Sequence, residues 1–305
     1  MLLKLLGLRH IAPVSIAGKT VWIIGASSGL GAALAVECAA SGAKVVLSAR
    51  RESLLTQVRG LLPGEGHRVL PLDVTDMPSF RRAFEQLTTH KVLADSPPTE
   101  QVQGGEVVGP MGKGGERGSQ KIDYVIYNSG IRPLPEWERF TAAEQLEGLD
   151  VNLGGVLRLL ELMIPQWQKQ GGGNLLLIGS LIATGAMPLA GVYGASKAGL
   201  AYLAENLAMD LAPLKVHVQL ASPGFIDTPL VAFRPRTQMP FLMPANKAAW
   251  KICKLMGRED VFEIHFPKPL SVPTKLARWL LPRSGWMSLL TWLDTRTASS
   301  SAEQR

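Results

Sequence analysis

The stretch Lys19–Gly42 reads KTVWIIGASSGLGAALAVECAASG. Its first part, Lys19–Gly25, is a short apolar run that predicts a buried strand. The glycines of Gly25–Gly31, in the spacing GxxxGxG, permit a tight turn, and Ala32–Ala40 has strong helix propensity. A strand, a glycine turn and a helix in this order bring backbone N–H groups to the positive end of a helix. Such an arrangement suits a pyrophosphate.

Apolar runs and helical patterns alternate along the rest of the chain. The further predicted strands are Lys44–Ala49, Arg68–Val74, Asp123–Asn128, Asn174–Ser180, His217–Ala221 and an edge-type strand at Asp260–Phe266. Helices are predicted at 51–62, 77–87, 142–169, 194–212 and 244–256. This alternation is typical of an α/β fold with a Rossmann-like, doubly wound parallel sheet of about seven strands flanked by helices. Ligands bind such sheets at the carboxyl ends of the strands.

We expect a single domain with extensions. Residues 1–16 form an N-terminal apolar and basic segment, 17–266 the catalytic domain, and 267–305 an amphipathic C-terminal extension. Residues 90–120 are rich in glycine and proline and have too few apolar side chains for a core, which predicts a flexible surface insertion. A lid over a ligand is the alternative for that segment.

The most specific chemical pattern is Tyr193 followed four residues later by Lys197, thirteen residues after Ser180. On a helix the phenol and the ammonium lie on the same face. An ammonium beside a phenol favours the phenolate, so we expect Lys197 to lower the pKa of Tyr193 below about 10. Tyr193 then exchanges a proton near neutral pH, and Ser180, at the end of a strand, hydrogen-bonds the same substrate oxygen.

Together these motifs resemble those of the short-chain dehydrogenase/reductase family over roughly residues 17–230. The motifs that carry the resemblance are Gly25–Gly31, Asp73-Val74, Asn128-Ser129-Gly130, Asn152, Ser180 with Tyr193 and Lys197, and Pro223-Gly224 with Thr228. Two positions depart from the family pattern. Ile24 replaces its usual threonine before the first glycine, and Tyr127-Asn128-Ser129-Gly130 replaces its usual Asn-Asn-Ala-Gly.

The resemblance implies an NAD(P)-dependent oxidoreductase acting on CH–OH and C=O groups. The implied catalytic tetrad is Asn152, Ser180, Tyr193 and Lys197. The implied cofactor-binding residues are Gly25, Ser27, Ser28, Gly29, Leu30, Gly31, Arg50, Arg51, Asp73, Val74, Asn128, Ser129, Gly130, Tyr193, Lys197, Pro223, Gly224, Phe225 and Thr228. No metal ligands are implied.

Individual roles follow from the same resemblance. Asn152 would anchor a water molecule that connects Lys197 to solvent, or else it is a polar residue that kinks a helix and is satisfied by backbone. Asp73 would accept a hydrogen bond from the adenine amino group, with a plain helix N-cap as its alternative. Residues 128–130 would let the backbone lie close to the adenosine ribose.

Cofactor choice depends on the end of the second strand. A carboxylate there binds the ribose hydroxyl of NAD, whereas an arginine accommodates the phosphate of NADP. The chain has Arg50 and Arg51 at this point and no acid before Glu52. A guanidinium binds a phosphate in a bidentate manner, so NADP(H) is the predicted cofactor.

Composition limits the other function classes. The chain has 305 residues, a net charge of +7 and two cysteines, Cys38 and Cys253. The cysteines lie far apart in sequence and form no CxxC motif, which favours a reducing compartment without a disulfide framework. The excess charge belongs to the two ends, and no basic cluster accompanies a recognition motif, so nucleic acid is an unsuitable partner. No apolar run spans a bilayer and no cleavable signal is evident.

The substrate is expected to be lipophilic. Residues after Pro229, rich in Phe233, Met239 and Phe241–Met243, would form a lid over a ketone or alcohol of sterol, acyl or sphingoid type. The alternative function is a catalytically idle NADP-binding regulatory or scaffold subunit. Tryptophans, leucines and basic residues at 276–293, with a second small anchor at 1–8, suit peripheral binding on the cytoplasmic side of a membrane. The same tryptophans equally suit packing on this chain or within a homo-oligomer.

Overall fold

The structure is a computed structural model that describes residues 13–89, 120–133, 140–233 and 235–302, with side chains as far as Leu293. The expectations for the segment 1–8 and for the insertion at 90–120 fall outside these ranges, apart from residue 120 at the end of the insertion.

A seven-stranded parallel sheet forms the centre of the fold. Its strands are β1 (Thr20–Ile24), β2 (Lys44–Ser48), β3 (Arg68–Val69), β4 (Tyr124–Tyr127), β5 (Gly173–Ile178), β6 (Val216–Pro223) and β9 (Glu263–Phe266). They lie in the order β3-β2-β1-β4-β5-β6-β9. A small second sheet pairs β7 (Ile226–Asp227) with β8 (Met243–Pro244). The predicted doubly wound α/β fold is confirmed, and β9 is the predicted edge strand.

Helices cover both faces of the sheet. They are α1 (Gly29–Ala40), α2 (Glu52–Arg59), α3 (Met77–Thr88), α4 (Ala142–Leu149), α5 (Gly155–Gln170), α6 (Gly191–Asp210), α7 (Ala245–Leu255), α8 (Lys268–Leu280) and α9 (Arg283–Ala302).

Side chains alternate across the sheet. Val21 and Ile23 of β1 join one buried cluster with α1, α2 and α7. Trp22 and Ile24 join the opposite cluster with α3, α5 and α6. Burial on both faces explains why the strands read as continuous apolar runs.

The order in which strands are added to the sheet reverses at β1. From β1 the chain builds outward through β2 to β3, and it then returns to β4 on the other side of β1. This reversal opens a crevice at the carboxyl ends of β1 and β4. The glycine turn at Gly25 and the segment that begins at Asn128 both start at this crevice.

Two elements differ from the sequence prediction. The third strand was expected at Arg68–Val74, but its regular part ends at Val69. The backbone N–H groups of Leu70 and Leu72 still donate to Leu47 and Ala49 of the neighbouring chain segment, so Pro71, between them, faces the free edge of the sheet, where a missing N–H is tolerated. The helix expected at 142–169 is interrupted by a π-helical turn at Asp150–Gly154. Such turns occur often at functional sites, and this one contains Asn152.

The two cysteines, far apart in sequence, are in contact in the structure. The Sγ atoms of Cys38 on α1 and Cys253 on α7 lie 3.8 Å apart, and both thiols are free. Burial and the contact with Cys38 raise the pKa of Cys253, with the Cys38 contact the larger cause. Alanines at 35, 248 and 249 let the two helices approach closely.

Helices α8 and α9 place the C-terminal tryptophans in different environments. Trp286 is buried, and its indole N–H donates to the carbonyl of Ala186 at 2.7 Å. Of the two alternatives for these tryptophans, packing on this chain is therefore the one that applies to Trp286, which contacts the segment that follows Ser180. Trp279, in contrast, is 80% exposed. Within the described ranges, no helix is both long enough and apolar enough to cross a bilayer.

Candidate active site

A cleft of about 670 Å³ lies at the carboxyl ends of β1, β4, β5 and β6. The residues predicted from sequence that line it are Gly25, Ser27, Ser28, Gly29, Leu30, Arg50, Arg51, Asp73, Val74, Asn128, Ser129, Gly130, Ser180, Tyr193, Lys197, Pro223, Gly224, Phe225 and Thr228. Two predicted residues, Gly31 and Asn152, do not line it. Both are buried behind the wall of the cleft.

The glycine turn is held tightly against the segment after β4. Gly25 has a φ of +90°, and a Cβ atom there would lie 2.6 Å from the backbone nitrogen of Ser129. A Cβ atom at Gly31 would lie 2.0 Å from the carbonyl oxygen of Gly25, so Gly31 serves close packing of the turn. The Asn128 side chain donates to that same carbonyl at 2.8 Å. Asn128 thus fastens the turn through its side chain.

The first turn of α1 points its backbone N–H groups toward the cleft. Ser28 precedes the helix, and among the residues that the structure describes no side chain caps this turn. Gly29 has a φ of +55°, and a Cβ atom there would lie 3.1 Å from the methyl group of Thr228. The uncapped helix end and the glycines of the turn fit the pyrophosphate of a dinucleotide.

Arg50 and Arg51 are exposed at the end of β2 and line the same cleft as Asp73. Burial raises the pKa of Asp73, but hydrogen bonds from Thr75 and the charge of Arg50 outweigh this effect, so its pKa lies below the ordinary value. The alternative that Asp73 is a helix N-cap is wrong, because Asp76 caps α3 by accepting from Ser79. Asp73 is therefore an ionised acceptor facing the cleft.

Three of the four predicted catalytic residues meet at the floor of the cleft. Tyr193 and Lys197 lie one turn apart on α6, and both are buried. Ser180, two residues beyond β5, accepts from the backbone N–H of Ile182 at 3.3 Å. Its side chain is also close enough to the Tyr193 hydroxyl to oppose the rise that burial causes in the pKa of that phenol. The Lys197 ammonium donates to the carbonyl of Ile178 at 2.8 Å.

The expected effect of Lys197 on Tyr193 is absent from this structure. Burial raises the pKa of Tyr193, and it outweighs the opposing charge of Arg132 and the hydrogen bond with Ser180. Burial also lowers the pKa of Lys197, to about 8. The prediction that Lys197 holds the pKa of the Tyr193 phenol below about 10 is therefore wrong. Burial of the phenol is the larger effect, and the Lys197 ammonium is directed at the Ile178 carbonyl.

Asn152, the fourth predicted catalytic residue, has its side chain fully engaged. Its Oδ1 accepts from the backbone N–H of Ile131 at 2.8 Å, and its Nδ2 donates to the Ile131 carbonyl at 2.9 Å. Nδ2 also donates to Ser196 at 2.9 Å, and the Ser196 hydroxyl donates to the carbonyl of Tyr193. The Asn152 amide thus joins the segment after β4 to the helix that carries Tyr193 and Lys197.

The sequence analysis missed Arg132. Its guanidinium carbon lies 5.4 Å from the ring centroid of Tyr193 and 4.4 Å from that of Phe233. Its Nη2 donates to the carbonyl of Leu189 at 2.8 Å. Only its position two residues after the Asn128–Gly130 motif pointed to it, since a lone arginine has no recognisable pattern.

The part of the cleft around Ser180 and Tyr193 has mostly apolar walls. They comprise Leu181, Ile182, Met187, Leu230, Val231, Phe233, Leu270 and Thr274. Of the predicted lid residues, Phe233 lines the cleft, whereas Met239 is buried elsewhere and Phe241 is exposed. The segment from Pro229 to Phe233 therefore contributes to the wall of the cleft, and residues 239–243 do not line it.

Comparison with known proteins gives one consistent family. The sequence model of the short chain dehydrogenase family matches residues 19–92 and 113–238. An uncharacterized oxidoreductase of Myxococcus xanthus is 30% identical over 268 residues, which cover 86% of this chain and 92% of that protein. The 11-beta-hydroxysteroid dehydrogenase-like 2 of Arabidopsis thaliana is 27% identical over 84% of this chain and 76% of its own.

Two further similarities extend this picture. The 3-oxoacyl-[acyl-carrier-protein] reductase FabG of Escherichia coli is 29% identical over 69% of this chain and 75% of its own. A crystal structure of a short-chain dehydrogenase from Streptomyces avermitilis superposes with a TM-score of 0.67 at 22% identity, covering 93% of this chain and 99% of that one. At this identity the superposition supports the fold.

Proposed function

Because the chain belongs to the short-chain dehydrogenase/reductase family, we propose that it is an NADP(H)-dependent oxidoreductase that interconverts a lipophilic ketone and its secondary alcohol. The family consists of oxidoreductases that use a nicotinamide cofactor. The observation that carries the proposal is that Ser180 and Tyr193 line the same cleft together with Lys197.

The chemistry follows from these two hydroxyl groups. A bound nicotinamide cofactor supplies the hydride in reduction and accepts it in oxidation. Tyr193 transfers its phenolic proton to the substrate oxygen, or takes one from it in the opposite direction. Ser180 donates a hydrogen bond to the same oxygen, since its side chain and that of Tyr193 line the same cleft. Lys197 is positioned one helical turn away on the same face of α6.

The cofactor would be held by the groups along the other half of the cleft. The N-terminus of α1 receives the pyrophosphate, and Asp73 accepts from the adenine amino group. Arg50 and Arg51 are exposed where the phosphate on the adenosine ribose would lie. A phosphate is favoured over a bare ribose hydroxyl there because two guanidinium groups are present and no carboxylate lies between the end of β2 and Glu52.

Two lines of support favour a lipophilic substrate. The apolar walls around Ser180 and Tyr193, among them Met187, Phe233 and Leu270, gain free energy by burying an apolar skeleton, about 25 cal/mol per Å². Two relatives are named for a hydroxysteroid and for an oxoacyl chain, each an oxygen function on an apolar framework.

The surface of α8 supports a further proposal, peripheral binding to an anionic membrane. Val272, Leu276, Trp279 and Leu280 are exposed along one side of this helix and form what we call the α8 stripe. Exposed apolar residues of this kind mark interaction surfaces. Arg278 and Arg283 lie close in sequence, and each basic residue near anionic lipid adds about 1 kcal/mol.

The test of the proposed function measures NADPH consumption with a panel of ketones. The panel pairs long-chain and steroidal ketones with short polar ketones, and each alcohol is assayed with NADP+ in the reverse direction. We expect turnover with the lipophilic members, and a loss of about 10²–10⁴-fold in Tyr193→Phe with NADPH binding retained. Tight NADPH binding without turnover of any panel member would instead support the idle regulatory subunit.

A further inference from the structure

Arg132 occupies a fixed place at the catalytic end of the cleft. It lies two residues after Gly130, and its neighbour Ile131 is held through both backbone polar groups by the buried Asn152 side chain. The segment that carries Arg132 is therefore fastened to the protein interior.

Three contacts then fix the guanidinium group. It lies between two aromatic rings, with its carbon 5.4 Å from the centroid of Tyr193 and 4.4 Å from the centroid of Phe233. Both distances are within the range of a cation–π contact. Its Nη2 donates to the Leu189 carbonyl at 2.8 Å, just before the start of α6. A side chain restrained on three sides keeps its charge in one position.

We propose that Arg132 is a positioning residue of this site, whose fixed positive charge favours the phenolate of Tyr193 and so sets the pH range in which Tyr193 exchanges a proton. This inference rests on the proposed role of Tyr193 as the group that transfers the proton.

Arg132 supplies a charge beside the phenol that does not depend on Lys197. Tyr193 is faced by Arg132 from the segment after β4, by Ser180 from the end of β5, and by Lys197 from α6 itself. Lys197 directs its ammonium to Ile178, and burial lowers its pKa to about 8, so it is partly neutral in mildly alkaline solution. A guanidinium keeps its charge over the whole accessible pH range. The only carboxylate among the described residues lining the cleft, Asp73, belongs to the cofactor half.

The electrostatic effect has the required size and direction. The charge of Arg132 and the hydrogen bond with Ser180 both oppose the rise that burial causes in the pKa of Tyr193. A unit charge several ångströms from an ionising group in a partly desolvated site shifts its titration by about one pH unit or more. Removal of the charge at position 132 is therefore measurable at Tyr193 itself.

The experiment titrates Tyr193 directly, without relying on turnover. The chain has four tyrosines, Tyr124, Tyr127, Tyr193 and Tyr202. Replacing them with 3-fluorotyrosine gives four fluorine resonances, and it brings ionisation to lower pH because fluorine withdraws electrons. A Tyr193→Phe variant assigns the resonance of Tyr193.

The comparison uses Arg132→Met and Arg132→Gln, which remove the charge, and Arg132→Lys, which retains it. We expect the Tyr193 midpoint to rise by about one pH unit in the neutral variants and to stay within about 0.3 unit in Arg132→Lys. If turnover is found, the pH profile of kcat/KM for alcohol oxidation should move by the same amount.

Several results would overturn the inference. A Tyr193 midpoint that is unchanged in both neutral variants would show that the charge does not act on the phenol. An equal rise in Arg132→Lys, or loss of the fold by circular dichroism in both neutral variants, would assign Arg132 to packing alone. Failure of the proposed function would appear separately, as absence of turnover in the wild-type protein with the fluorine titration intact.

Discussion

The phenolic hydroxyl of Tyr127 donates a 2.6 Å hydrogen bond to the carbonyl of Val151, inside the π-helical turn that carries Asn152. Tyr127 stands where the family usually has asparagine. Gly155 makes room for it, because a Cβ atom there would lie 2.0 Å from the hydroxyl oxygen. Burial raises the pKa of Tyr127, so it remains a neutral donor. The departure from the family pattern thus supports the turn that presents Asn152.

Tyr127→Phe should destabilise the protein by about 1–3 kcal/mol, because the buried carbonyl of Val151 loses its donor. The measurement is the free energy of unfolding by urea denaturation. Tyr202→Phe is the matched control, since Tyr202 is 71% exposed and its removal should change stability by less than about 0.5 kcal/mol. Equal stabilities for the two variants would contradict the structural role of the Tyr127 hydroxyl.

Arg50→Asp should move cofactor preference toward NADH, because it deletes an attractive charge and adds a repulsive one. The quantity to measure is the ratio of kcat/KM for NADPH to that for NADH, which we expect to fall at least about tenfold. Arg59→Asp, an exposed substitution on α2 outside the cleft lining, controls for the change in net charge. An unchanged ratio would place the phosphate elsewhere, with Arg51 or Ser27 as the next candidates.

Lys197 makes the stability of the cofactor-free protein depend on pH. Its folded pKa of about 8 lies below the unfolded value of about 10.4, so between these values the unfolded chain binds more protons. Stability should therefore rise with pH in this window relative to Lys197→Met, by up to about 3 kcal/mol. Unfolding free energies of both proteins from pH 7 to 10.5 test this, and a constant difference between them would refute the shifted pKa.

Trp279→Glu should weaken binding to anionic vesicles without affecting stability, since this side chain is 80% exposed in the α8 stripe. Flotation with vesicles of phosphatidylcholine and phosphatidylserine at low salt measures the bound fraction. Trp250→Glu on α7, where the tryptophan is 49% exposed, is the matched control. Point substitution is preferable to truncation, because truncation removes the buried Trp286. Absence of the wild-type protein from the floated fraction would refute membrane binding, and self-association in solution would then account for the stripe.

Local sequence patterns were sufficient to predict the fold class and most of the strands and helices. Strands such as Lys44–Ser48 could be read directly because both of their faces are buried, which requires an unbroken apolar run. The glycine spacing of Gly25–Gly31 and the Tyr193–Lys197 pair were equally legible, because turns and helix faces are formed by neighbours in the chain. The site residues on these elements could therefore be chosen before the fold was known.

The electrostatics of the site were decided by tertiary structure alone. Burial, which acts against the charge of the phenolate, depends on what packs over Tyr193, and no local pattern contains that information. Ile178 as the partner of Lys197, the stacking of Arg132 and the contact between Cys38 and Cys253 join residues that the chain keeps apart. The sequence by itself was enough to choose the groups proposed to carry the chemistry, whereas their proton affinities follow from neighbours that only the folded chain brings together.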